Sequence, residues 1–97
     1  MGSTIYALSS GAVPSGVAVI RISGPLTRAI VKALCGQVPA ERKAVLSWIT
    51  DPERRELLDE GLILYFEGPR SFTGEDVAEF HCHGGRAVVG RLLEVLG

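Results

Sequence analysis

The sequence predicts an α+β domain built on a mixed, largely antiparallel β-sheet with two helices packed on it. Apolar periodicity gives the order strand, strand, helix, strand, strand, strand, helix. The strand-like runs are short and are separated by turns rich in Gly and Pro. With 97 residues and 46% apolar content the chain can form one modest core, since a domain of this size buries roughly 60–70% of its unfolded surface.

"TIYALSS", residues 4–10, alternates as a short strand does, and "GAVPSG" supplies the turn after it. "VAVIRIS", 17–23, is the strongest strand signal. Valine and isoleucine occupy both parities, which predicts a central strand covered on both faces. Arg21 sits in its middle. "GPLTRAIVKALCG", 24–36, reads as a helix, with Pro25 suited to the first helical position and Gly36 to the C-terminal cap. Leu26, Ile30, Ala33 and Leu34 form its apolar stripe.

"AVLSWIT", 44–50, and "LLDEGLILYF", 57–66, predict two antiparallel strands around the turn "DPERRE". Gly68, Pro69 and Gly74 mark "EGPRSFTGED" as a loop. A strand from Val77 to His83 follows, and after Gly84 and Gly85 "RAVVGRLLEVL" makes an amphipathic helix. The chain stops directly after that helix, where such a fold would return with another strand. Residues 1–97 are therefore expected to be a single domain cut from a longer protein.

Ten basic against eleven acidic residues give a formal charge of −1, with no basic stripe or arginine-rich tail to hold nucleic acid unaided. Cys35 and Cys82 lie far apart in apolar surroundings, which fits free thiols in a reducing cytoplasm. The opening stretch has no basic leader, and Gly11, Pro14 and Gly16 cut its apolar run. It reads as neither secretion signal nor membrane span. Gly11 and Gly16 have the spacing of half a phosphate loop, but the Gly-Lys-Ser/Thr ending is absent, so no nucleotide triphosphate site is expected.

Charged residues on apolar strands are the candidates for function. Arg21 is flanked by Ile20 and Ile22 and needs an anion, either an internal carboxylate such as Glu79 or a ligand group. In "EFHCHGG", 79–85, parity places Glu79, His81 and His83 on one face and Cys82 on the other. Second neighbours on a strand lie roughly 6.5 Å apart by rise, so the two histidines could grip a metal. The competing reading makes them pocket-lining groups and Glu79 an acceptor for a two-donor ring edge. Gly84 and Gly85 before a helix could leave N–H groups free for an anion, or simply make a tight turn.

"GVAVIRISGP", 16–25, followed by "FEGPRSFTGEDVAEFHCHGG", 66–85, resembles the N-terminal domain of the TrmE/MnmE family of tRNA-modifying GTPases, over nearly the whole chain from Thr4 to Leu96. The resemblance implies a fold like the folate-binding domain of glycine-cleavage aminomethyltransferases. It also implies binding of a formyl- or methylene-tetrahydrofolate and a homodimer contact. The family's folate-contacting arginine corresponds to Arg21 and its glutamate to Glu79. In the full-length family a GTPase domain takes GTP, magnesium and potassium. A flavoprotein partner then helps it install an aminomethyl-type group on the wobble uridine of tRNA. The alternatives are a small metal-dependent enzyme using Glu79, His81 and His83, or a piece that only dimerises.

Overall fold

The two most apolar runs of the chain lie side by side at the centre of one sheet. The computed structural model describes residues 4–8, 17–69, 74–83 and 86–97. Its elements are β1 (Ile5–Leu8), β2 (Val17–Ser23), α1 (Thr27–Cys35), β3 (Val45–Asp51), β4 (Glu56–Phe66), β5 (Val77–His83) and α2 (Arg86–Leu96). The sheet order is β1-β2-β5-β4-β3, and every neighbouring pair is antiparallel. This is the expected α+β architecture, with no parallel pair among the described strands.

Alternation decides what each strand buries. Ala18, Ile20 and Ile22 of β2, Ala78, Phe80 and Cys82 of β5, and Ile63 and Tyr65 of β4 share one face of the sheet. Ile49 of β3 joins them, with Val31 and Leu34 of α1 and Val89 and Leu92 of α2. Fully burying one such side chain is worth about 1.5–3 kcal/mol, so this single layer is the main source of stability.

The second face differs from the expectation that β2 is covered twice. Among the described residues no helix lies on it, and Ile5, Val17, Leu46, Trp48 and Leu62 are exposed there. The valines of β2's second parity thus lie on a face left uncovered by the described helices, although Val77 and Glu79 of β5 are buried on that same face. Val19 is half-buried on it, and Phe66 at its far end lies under the Arg42 guanidinium, 5.6 Å from the ring centre.

Helix α1 begins at Thr27, two residues after Pro25, which sits in the preceding turn. The buried stripe is Thr27, Val31 and Leu34, while Leu26 is 60% exposed. A polar residue can take the inner position because its hydroxyl lies 2.9 Å from the Gly24 carbonyl and 3.1 Å from that of Asp76. Gly36 closes the helix as expected, at φ 78°, donating its N–H to the Lys32 carbonyl. Gly24, at φ 139°, is fixed by contact as well: a Cβ there would come within 2.4 Å of the Thr4 Cα.

β3 and β4 occupy nearly the expected ranges, and Asp51 holds their turn by accepting the N–H groups of Glu53 and Arg54. β5 and α2 match their expected limits. Asp76 pins the loop before β5, accepting the Gly68 N–H at 2.9 Å and the Tyr65 hydroxyl at 2.5 Å. Burial, with that bond next, pushes the Tyr65 phenol up to about 12. Ser9, Ser10, the 11–16 turn and the Gly84–Gly85 pair lie outside the described residues.

Candidate functional site

The register of β2 against β5 makes Arg21 and Glu79 direct cross-strand partners on the uncovered face. Directly opposed residues have Cβ atoms about 5 Å apart, well within reach of two long side chains. Arg21 donates from Nε and Nη2 to one oxygen of Glu79, Oε2, at 3.1 and 2.5 Å. The other oxygen, Oε1, lies 3.0 Å from Nε2 of His81, two residues along the same strand. A carboxylate only accepts, so His81 donates from Nε2.

Glu79 is the most enclosed of the three, with 11% of its side chain exposed against 39% for Arg21. Burial works to raise its carboxyl, but the hydrogen bonds from His81 and Arg21 outweigh it and hold the group below the ordinary range. Glu79 is therefore an anion at neutral pH. Of the two readings open for Arg21, an internal carboxylate is present, and it belongs to Glu79.

His83 goes elsewhere. Its ring Nδ1 lies 2.7 Å from Asp59 Oδ1, and its backbone N–H donates to Oδ2 at 2.8 Å. Burial would raise the Asp59 carboxyl, yet these two bonds and the Glu60 N–H keep it low. The β4–β5 ladder runs from Phe66↔Val77 to Leu62↔His81, and the Asp59 side chain carries the strand junction past that point. Gly61 permits the approach, since a Cβ there would come within 2.4 Å of the His81 carbonyl oxygen. Glu79, His81 and His83 consequently do not converge. Among the described residues no group of three His, Cys, Asp or Glu is placed to hold a metal ion.

Cys82 faces the helices, with its thiol on the Ala18 carbonyl, and burial pushes it up to about 11. Beside His81 the uncovered face holds a depression of about 320 Å³ lined by Val17, Leu46, Leu62, Glu60, His81 and His83. Its walls are largely apolar, with His81, His83 and Glu60 on the two middle strands between Val17 and Leu46. Sequence reasoning selected Arg21, Glu79 and His81 but missed Asp59 and Asp76. An aspartate two residues before Gly61 in an apolar strand was the available signal for the first; Asp76 gave none beyond its place at a loop end.

Residues 4–97 match the family model described as the N-terminus of the GTP-binding protein TrmE. The chain belongs to that family. The TrmE N-terminal family members most similar to it include the tRNA modification GTPase MnmE of Mesorhizobium japonicum, 57% identical over 95 residues, covering 98% of this chain and 21% of the relative. The protein of the same name from Brucella canis is 58% identical over 95 residues, covering 97% and 21%. A subunit of the mitochondrial 5-taurinomethyluridine-[tRNA] synthase of Danio rerio, GTPB3, is 55% identical over 94 residues, covering 97% and 19%. The TrmE N-terminal chain thus spans about a fifth of the length of these relatives. Among its described residues no helix is long and apolar enough to cross a membrane.

Proposed function

We propose that the chain is the one-carbon-folate-binding and dimer-forming part of a tRNA-modifying GTPase. The observation that supports it best is a nearly enclosed, ionised Glu79, held by Arg21 and His81 on a largely apolar sheet face that no described helix covers. The pterin ring of a tetrahydrofolate presents an exocyclic amine beside a ring N–H. One carboxylate can take both in parallel hydrogen bonds.

The acceptor count says how the ligand enters. A carboxylate has about four lone-pair sites, of which Arg21 uses two on Oε2 and His81 one on Oε1. A two-donor edge needs one site on each oxygen. Withdrawing Arg21 opens Oε2 and leaves the spare site on Oε1; withdrawing His81 leaves Oε2 fully engaged. Ligand entry is therefore an exchange, in which the guanidinium yields its place to a ring edge of similar donor pattern. Arg21 then meets a carbonyl or carboxylate elsewhere on the formyl- or methylene-tetrahydrofolate.

The same face carries Val17, Leu46, Trp48 and Leu62 in the open, and burial against a second copy would remove this apolar surface from water. In the full-length protein the GTPase domain would take GTP, magnesium and potassium. The assembly would act in the cytoplasm with a flavoprotein partner on the wobble uridine of tRNA. Calorimetric titration of the chain with formyl-tetrahydrofolate should give saturable binding, and sedimentation should show a dimer. No heat and no saturation at millimolar ligand would refute the folate reading.

A further inference from the structure

We infer that His81 is a positioning residue for Glu79, holding its carboxylate in place while Arg21 is exchanged for the ligand edge. This inference rests on the folate reading above and goes beyond it by giving His81 a role. The ion pair alone does not fix the carboxylate during exchange, because both Arg21 bonds fall on Oε2 and are lost together. What remains is the His81 bond to Oε1, at 3.0 Å. Its donor is on the same strand, two residues away, so its distance to Glu79 is set by the backbone of β5 rather than by a long flexible side chain.

The surroundings of His81 fit that task. Its cross-strand neighbours are Val19 on β2 and Leu62 on β4, neither of which offers a side chain that competes for Nε2. The charged and titratable groups nearby are Glu79 on its own strand, Arg21 on the paired strand β2, and Glu60 and His83 around the depression. Asp59 of β4 is engaged by His83. Of these, Glu79 is the group whose bond to His81 the structure records. That bond also acts to hold the Glu79 carboxyl low, against its burial.

Two substitutions separate positioning from simple packing. His81→Gln keeps a side-chain N–H donor without the imidazole ring, whereas His81→Leu removes the donor and keeps bulk. The chain and both variants are titrated with formyl-tetrahydrofolate across pH 4 to 8, and the Glu79 carboxyl is followed by carbon NMR without ligand. The inference expects affinity to fall about tenfold in His81→Leu, a lost hydrogen bond's worth, and to return to within about threefold in His81→Gln. The Glu79 carboxyl should titrate at higher pH in His81→Leu, and the acid limb of binding should move up with it. Wild-type binding with an unmoved Glu79 titration, or equal affinity in His81→Leu, overturns the role of His81 alone. Absence of binding by wild type overturns the folate reading and the inference with it.

Discussion

Replacing Glu79 with glutamine changes one atom and disturbs three hydrogen bonds. The carboxylate accepts two N–H bonds from Arg21 and one from His81. With the amide oxygen turned to Arg21, both of those bonds survive in a weaker form: the guanidinium keeps its charge but the acceptor loses its own, so each falls toward the lower end of the roughly 1.5–3 kcal/mol range for bonds to charged groups. The His81 bond can be recovered by the other tautomer. The gross loss is then about 2 kcal/mol, and the 39% exposure of Arg21 discounts it, because water can solvate the released guanidinium. A net cost of about 1–2 kcal/mol should lower Tm by roughly 5–15 °C for a chain this short. Ligand binding should suffer more. One ring donor of the pterin would face an amide N–H, so affinity should drop by about 1.5–3 kcal/mol, or roughly 10- to 150-fold. Thermal unfolding and calorimetric titration of wild type and variant read both effects. A variant that melts early yet binds folate normally would refute the ligand role of Glu79, and one that melts and binds like wild type would refute the ion pair as well.

Further outcomes follow from the same structure. The carboxyls of Glu79, Asp59 and Asp76 are all lowered in the folded chain. The unfolded chain therefore binds more protons in the acid range, and stability present above about pH 4–5 should be lost as pH falls through the lowered values. At the alkaline end Cys35 and Cys82 are raised to about 11 by burial. Their stabilisation should be intact below about pH 9 and fade between 9 and 11, with both tests read as Tm against pH. Gly61→Ala should destabilise by about 1–3 kcal/mol in denaturant titration, because its Cβ would meet the His81 carbonyl at 2.4 Å; unchanged stability would show that the strands can part. Trp48 is the sole tryptophan and 57% exposed on the uncovered face, so its emission should shift to the blue as a dimer forms with rising concentration, and Trp48→Asp should leave a monomer. A concentration-independent spectrum in a sedimenting dimer would place the interface elsewhere.

How much of this was legible in the sequence depended on whether a rule of parity was enough. β5 reads cleanly because Ala78, Phe80 and Cys82 bury against the helices while Glu79 and His81 do not, and period-two alternation is all that is needed. Arg21 was legible as a charge in need of an anion, which Glu79 supplies, although it lies half-exposed on the face opposite Ile20 and Ile22 rather than among them. The face of α1 was not, because Thr27 outranks Leu26 for the interior only when two carbonyls, from Gly24 and from Asp76 far along the chain, meet its hydroxyl. Nor was the open face of β2. Valine in both parities looks the same whether a second layer covers it or a partner must. Asp59 stood out before Gly61 in an apolar strand, but its partner His83 could not be read there, since the contact joins residues on different strands.

The alternation along β5 has a consequence for which changes the gene can tolerate. Core and ligand-facing residues are interleaved one by one, so removing a single codon between Val77 and Phe80 would slip the strand's pattern against its neighbours. Phe80 would be turned to solvent, and a glutamate or histidine would be driven into the layer beneath α1 and α2. Fold and site would fail together. Insertions of the same length in the loop before Asp76 would spare both, because the Asp76 anchor to Tyr65 and Gly68 resets the chain before the strand begins.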